Sequence, residues 1–193
     1  MFIFSNWFKQ RKQLAERDFA VETLNTITSI GISSTEGTLM LENQNDGWLV
    51  NSSFIANSKA VDALFRVLSR LTAESPVPLS VNDSLIDHAL RHGLQLAIGL
   101  ANKEGRRISL YSTKTYNLGN IGVVKGSGTA YKLSLPQFKG DIASLFRVDE
   151  LYWKSNQIVL PLAHEISSVE VEIPNDIAKS FRIDVSDDTI SLY

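Results

Sequence analysis

A pattern near the start of this chain returns, in weaker form, near its end. Ile27-Thr-Ser-Ile30-Gly-Ile32 is echoed by Ile166-Ser-Ser-Val169-Glu-Val171, and Thr38-Leu-Met-Leu41 by Ser180-Phe-Arg-Ile183. Both runs alternate apolar with other residues, which is the period of a half-buried strand. The first copy is completed by a turn signal, Asn45-Asp46-Gly47, and a returning run, Trp48-Leu-Val50. Asn, Asp and Gly tolerate positive φ, so three short strands in a meander are expected. The second copy closes with Thr189 to Tyr193, the start of one more strand. A chain that repeats such a unit is committed to antiparallel sheet before any other feature is considered.

The first meander leads into the strongest helix signal. Val61, Leu64, Phe65, Leu68 and Leu71 recur at helical spacing behind Asn57 or Ser58 as N-cap, and Ser75-Pro76 is expected to end the helix near Ala73. Val77-Pro78-Leu79-Ser-Val81 reads as an edge strand or linker because of its prolines. Asn82-Asp83 is expected to cap a short helix from Ser84 to His92, with Gly93 as its C-cap. Leu94, Leu96, Ile98 and Leu100 alternate as a strand, and Asn102 to Gly105 turns toward Ile108 to Tyr111. Lys125-Gly-Ser-Gly128 joins Ile121–Val124 to Ala130–Leu133, and Asp141 caps a short helix with Ile142, Leu145 and Phe146. Hairpins and helices in this order give an α+β fold, mainly antiparallel sheet, with one long and two or three short helices. The expected organisation is an N-terminal stub, 1–16, and a single domain, 17–193, built of a first unit to about 160 and a second meander from about 164.

Bulk properties narrow the function classes. A net charge of −2 demotes nucleic-acid binding, which usually needs a basic face. With no cysteine, disulfides and thiolate chemistry are excluded. No apolar run is long enough for a spanning helix. Met1-Phe-Ile-Phe-Ser-Asn-Trp-Phe8 is nonetheless aromatic and is followed by Lys9, Arg11 and Lys12. This stretch reads as a short amphipathic helix, as an interfacial anchor that touches membrane through residues 1–12, or as the remnant of a longer membrane segment.

Candidate chemistry is sparse. His88 and His92 have the i, i+4 spacing of two metal ligands, with Asp83, Asp87 or the distant His164 as further donors. Ala89 stands where a zinc-protease helix carries its glutamate, so a solvated helix face is the competing reading and no metal site is assigned. Ser127 between Gly126 and Gly128 lacks the glycine spacing of a nucleophile elbow, since Lys125 and Thr129 occupy those places. Gly119-Asn-Ile-Gly122 does not open a helix and makes a poor phosphate cradle. Asp149-Glu150 and Asp187-Asp188 sit in turns, and nothing selects a catalytic carboxylate pair among them. Trp48 and Trp153 offer faces for a sugar or peptide, against a competing role in packing. No catalytic, metal or cofactor residues are assigned.

Taken in order, several segments resemble a bacterial family, domain of unknown function 4340. They are Arg17-Asp-Phe-Ala-Val21-Glu22, Ile27-Thr-Ser-Ile30, Gly47-Trp-Leu-Val-Asn51, Ser75-Pro-Val-Pro78, Gly93-Leu94, Pro136-Gln-Phe-Lys-Gly-Asp141 with Leu145-Phe146, and both halves of the C-terminal echo. The resemblance implies a non-catalytic envelope protein, on the extracytoplasmic side and membrane-associated, with protein partners such as transporter components of the ATP-binding-cassette type. It supplies no cofactor and no binding residues. This chain departs from the family in having only the aromatic stub where relatives carry a spanning helix, which keeps a cytoplasmic location open. Three functions are therefore expected in competition: an accessory or interaction module, a small-ligand or glycan binder using Trp48 or Trp153, and a hydrolase with dispersed carboxylates.

Overall fold

The computed structural model describes residues 19–44, 47–101, 103–114, 118–156, 166–186 and 189–192. The chain divides into two compact units between Ser155 and Asn156. The expected Asn45-Asp46 and Asn102 turn residues, the stub 1–16, His164 and Asp187-Asp188 lie outside the described residues.

The first unit is built on a nine-stranded antiparallel sheet. Its strands are β1 (Ile27–Ser34), β2 (Gly37–Gln44), β3 (Gly47–Val50), β4 (Phe54–Ile55), β5 (Thr72–Pro76), β6 (Leu94–Leu100), β7 (Lys103–Thr113), β8 (Gly119–Val124) and β9 (Tyr131–Ser134). They lie in the order β4-β3-β2-β1-β6-β7-β8-β9-β5. The fold is thus α+β and mainly antiparallel, as the alternating runs require. Helix α1 (Ser58–Arg70) begins behind Asn57, whose side chain accepts from the Lys59 amide at 3.1 Å. Ala60, Val61, Leu64 and Leu68 form its buried stripe. They pack on the inner sheet face against Ile30, Ile32, Leu39, Leu41, Leu96, Ile98, Ile108 and Leu110.

Two boundaries differ from expectation. α1 stops at Arg70, and the residues before Ser75-Pro76 form β5 rather than a last helical turn. The reason is tertiary: β5 pairs with β9, with Thr72 opposite Ser134 and Pro76 opposite Tyr131. The second helix, α2 (Leu79–His92), starts five residues earlier than Ser84, so Leu79 to Val81 are helical and not extended. Pro78, with φ of −56°, stands as its N-cap. A proline is well tolerated there because the helix start needs no amide from it. Asn82 does not cap; it lies inside α2, 6% exposed. Its Nδ2 donates to the Gly128 carbonyl at 2.9 Å and its Oδ1 accepts from the Ala130 amide at 2.9 Å. Gly93 is the C-cap as expected, but in extended conformation (φ −76°). The glycine serves close approach instead: a Cβ there would lie 2.4 Å from the Ala89 carbonyl oxygen and 2.7 Å from that of Leu110.

α2 packs through Leu85 and Ala89 onto Ile121, Val123 and Ala130. These belong to the sheet face opposite α1, so each face of the sheet carries one helix. Both edges of the sheet are blunted. The backbone of Trp153 to Ser155 runs beside β4, with the Ser155 amide donating to the Ile55 carbonyl at 2.8 Å and the Asn57 amide to the Trp153 carbonyl at 2.7 Å. β5 carries Pro76 and a register shift between Ala73 and Ser75. A short third helix, α3 (Glu150–Trp153), is capped by Asp149, which accepts from the Leu151 amide at 3.0 Å.

The second unit holds a three-stranded antiparallel sheet of β10 (Ser168–Val171), β11 (Phe181–Ser186) and β12 (Thr189–Leu192). Its register reproduces that of the first meander. Ile30 faces Leu41 and Ile32 faces Leu39, while their echoes Val169 and Val171 face Ile183 and Phe181. The third strands agree too: Leu41 pairs with Val50, and Ile183 with Leu192. The copies differ in the first connection, which is three residues longer in the second and holds a 3₁₀ turn at Ile177–Lys179.

Candidate functional site

Strict alternation along four central strands decides what the outer sheet face presents. With Ile30 and Ile32 turned inward, β1 shows Gly31 and Ser33 outward; β2 likewise shows Thr38 and Met40, β6 shows Gln95 and Ala97, and β7 shows Arg107 and Ser109. Cross-strand pairing aligns Met40, Gly31, Ala97 and Arg107 in one row across the sheet. α2 covers β7 and β8 but leaves the face of β2, β1 and β6 open. The result is a groove of about 650 Å³ whose lining includes this row, Leu90 of α2, and Lys125 and Gly126 of the β8–β9 turn.

Its floor is low because Gly31 and Ala97 lack bulk. A Cβ at Gly31 would meet Ala97 Cβ and Met40 Cε at 3.5 Å, ordinary contact distance, so the space above it is open and not a packing requirement. One wall is fixed by a buried polar link. Gln95 Nε2 donates to the carbonyls of Ala89 at 2.9 Å and Gly93 at 3.1 Å, which ties down the end of α2. Gln95 Oε1 in turn accepts from the Ser109 hydroxyl at 2.5 Å, and Ser109 is 3% exposed. Leu90 is thereby held at the groove mouth, half exposed.

The other end is set by Asn51, in the left-handed region at φ +48°, followed by Ser52 at φ +56°. Asn tolerates this backbone better than most residues. Its Oδ1 accepts from the Met40 amide at 2.9 Å and its Nδ2 donates to Glu150 Oε2 at 2.6 Å. Glu150 also pairs with Lys154 at 2.5 Å. The Lys154 and Asn51 hydrogen bonds hold the Glu150 carboxyl below its ordinary range.

Electrostatically, the groove is one-sided. Its lining contains no carboxylate, and two cations, Arg107 and Lys125, stand at one end. They are neighbours across the strands, since the Lys125 amide donates to the Arg107 carbonyl at 2.8 Å.

The residues singled out from sequence are scattered. Trp153 is 1% exposed and donates its indole N–H to the Arg147 carbonyl at 2.7 Å, so it is core and no ligand platform. Trp48 packs edge-on against Phe65, ring centroids 5.4 Å apart. His88 and His92 do lie together, 4.7 Å between rings, with Tyr111 4.4 Å from His88. Asp87 is engaged by Arg91 at 2.8 Å, and Asp83 accepts from Asn82 at 3.0 Å. Among the described residues no group of three His, Cys, Asp or Glu side chains is placed to hold a metal ion. The Ser127 hydroxyl is spent within its own turn, bonding the amide and carbonyl of Thr129 at 3.0 Å each. Gly119 to Gly122 lie in β8. Asp149 caps α3, and Glu150 braces Asn51.

The groove residues themselves were not singled out by the sequence. Arg107 falls between the expected turn, Asn102 to Gly105, and the run from Ile108, and Lys125 opens the expected hairpin loop Lys125 to Gly128. The signal that could have exposed them is the out-facing set of β1 and β6, Ser-Gly-Ser and Gln-Ala-Gly, which is too small for an ordinary covered sheet face. No family model, no curated protein and no solved structure matches this chain. Among the described residues no helix is long and apolar enough to cross a membrane.

Proposed function

We propose that this chain is a non-catalytic accessory domain that acts by binding, through the groove on the outer face of its larger sheet. The observation that carries the reading is the groove itself: about 650 Å³, open, floored by Gly31 and Ala97, and braced at both ends by satisfied polar links. That volume lies inside the range usual for small-molecule sites. A role beside an envelope transporter is part of the proposal and rests on the family resemblance alone. The binding mode does not rest on strand addition, since one sheet edge is covered and the other carries Pro76. A hydrolase is disfavoured because no carboxylate lines the groove, and the Glu150 carboxyl, which lies beyond its Asn51 end, is held below its ordinary range and not raised.

A thermal-shift screen of small metabolites, glycans and lipids tests the reading. Compounds that raise the melting temperature of the native chain should lose that effect in Ala97→Trp, which fills the groove from an exposed position. A screen with no stabilising compound, or one whose hits act equally on Ala97→Trp, overturns it.

A further inference from the structure

We infer that the groove takes an amphiphilic anion: a small molecule with an alkyl body and one oxyanion head, such as a free alkyl carboxylate. The inference rests on the proposed binding role and names its ligand class. Arg107 and Lys125 carry the argument. Among the described residues neither side chain has an ion-pair or hydrogen-bond partner, as is true also of the exposed Lys59, Arg66, Arg70 and Lys139; what sets Arg107 and Lys125 apart is that they are cross-strand neighbours at one end of a groove. Elsewhere, Lys132 pairs with Glu74, Lys154 with Glu150, Lys179 with Asp176, and Arg106 donates to the Ala20 carbonyl. Two adjacent like charges repel; the groove lining offers no carboxylate to balance them, and Glu104, which lines the adjoining hollow with both cations, makes no ion pair with either. An oxyanion placed between them removes the repulsion, and a guanidinium can grip it through two parallel hydrogen bonds.

The rest of the groove suits an apolar body. From Arg107 the row continues through Ala97 and Gly31 to Met40, three strand spacings or roughly 14 Å. Leu90 flanks that row and Met40 ends it, both partly exposed with no covering element among the described residues of the first unit. The head and the body are therefore recognised at opposite ends of one small-molecule-sized space. Because both cations are exposed, the attraction is open to screening by salt.

The test is calorimetric titration of the full chain with decanoate, decanamide and decylamine below their aggregation limits. Decanoate should bind at least tenfold tighter than the other two. The double variant Arg107→Ala/Lys125→Ala should bring it down to the level of decanamide, and raising salt should weaken decanoate alone. All three side chains to be changed, Ala97 included, are exposed, so unchanged thermal unfolding confirms that the variants fold. Decanamide or decylamine binding as tightly as decanoate, with loss in Ala97→Trp, overturns the anion inference and leaves the groove reading standing. Decanoate binding that persists in Ala97→Trp overturns both. Absence of binding by all three overturns the inference, and the broader screen then decides the groove.

Discussion

Asn82 holds the β8–β9 turn against α2 with two hydrogen bonds from inside a helix. In Asn82→Ala the Ala130 amide is left buried without its acceptor, which costs about 1–3 kcal/mol. Urea unfolding should show a lowered midpoint with unchanged slope. The sequence hides this residue, because an Asn before an amphipathic run looks like a helix start whatever its side chain does across space. Glu150 makes a different kind of contribution. Its carboxyl is held below its ordinary range by Lys154 and Asn51, so the unfolded chain binds that proton more readily than the folded one. The stability it supplies is therefore complete above the ordinary glutamate range and is lost as pH falls through the lowered folded value. Glu150→Gln should flatten the acid limb of a stability–pH profile and leave the neutral-to-alkaline limb parallel to the native chain. An unchanged acid limb would refute the linkage. For Trp153 the sequence reading favours packing over a ligand platform, and its 1% exposure places it in the core.

At the scale of elements, what was legible followed from period. α1 is marked by Val61, Leu64 and Leu68, and the strands by alternation at Ile30, Ile32, Leu39 and Leu41, because these residues face one continuous core. What was not legible followed from competition. β5 begins where helical spacing still continues through Leu71, and pairing with β9 wins over one more helical turn. Gly93 shows the same division: its position was readable and its reason was not. Since a Cβ would press on the Ala89 and Leu110 carbonyls, Gly93→Ala should destabilise by about 1–3 kcal/mol, like other overpacked sites. An alanine tolerated within a few tenths of a kcal/mol in denaturant titration would show that α2 and β7 can separate freely. The groove was unreadable for a related reason. It depends on which strands lie side by side, and the order β2-β1-β6-β7 brings Met40 and Arg107, far apart in the chain, into one row.

At the scale of the whole chain, the repeat proves to be a repeat of pairing and not merely of composition. That claim has a direct test, helped by a chain without cysteine. The Val185 amide donates to the Ser167 carbonyl at 2.9 Å, which makes Glu170 and Arg182 a non-hydrogen-bonded pair with closely spaced side chains. Glu170→Cys with Arg182→Cys should oxidise readily to a disulfide, whereas Glu170→Cys with Asp184→Cys, one diagonal away, should not. The reverse result, read by mass spectrometry, would mean a slipped register. Two meanders with one pairing frame tolerate crossover between their coding stretches, because every apolar position lands on its proper face after the exchange. The insertion that separates them falls beyond Val171 and Phe181, so it removes only the counterparts of the outermost pairs, Ser33 with Thr38 and Ser34 with Gly37, and leaves the shared frame intact.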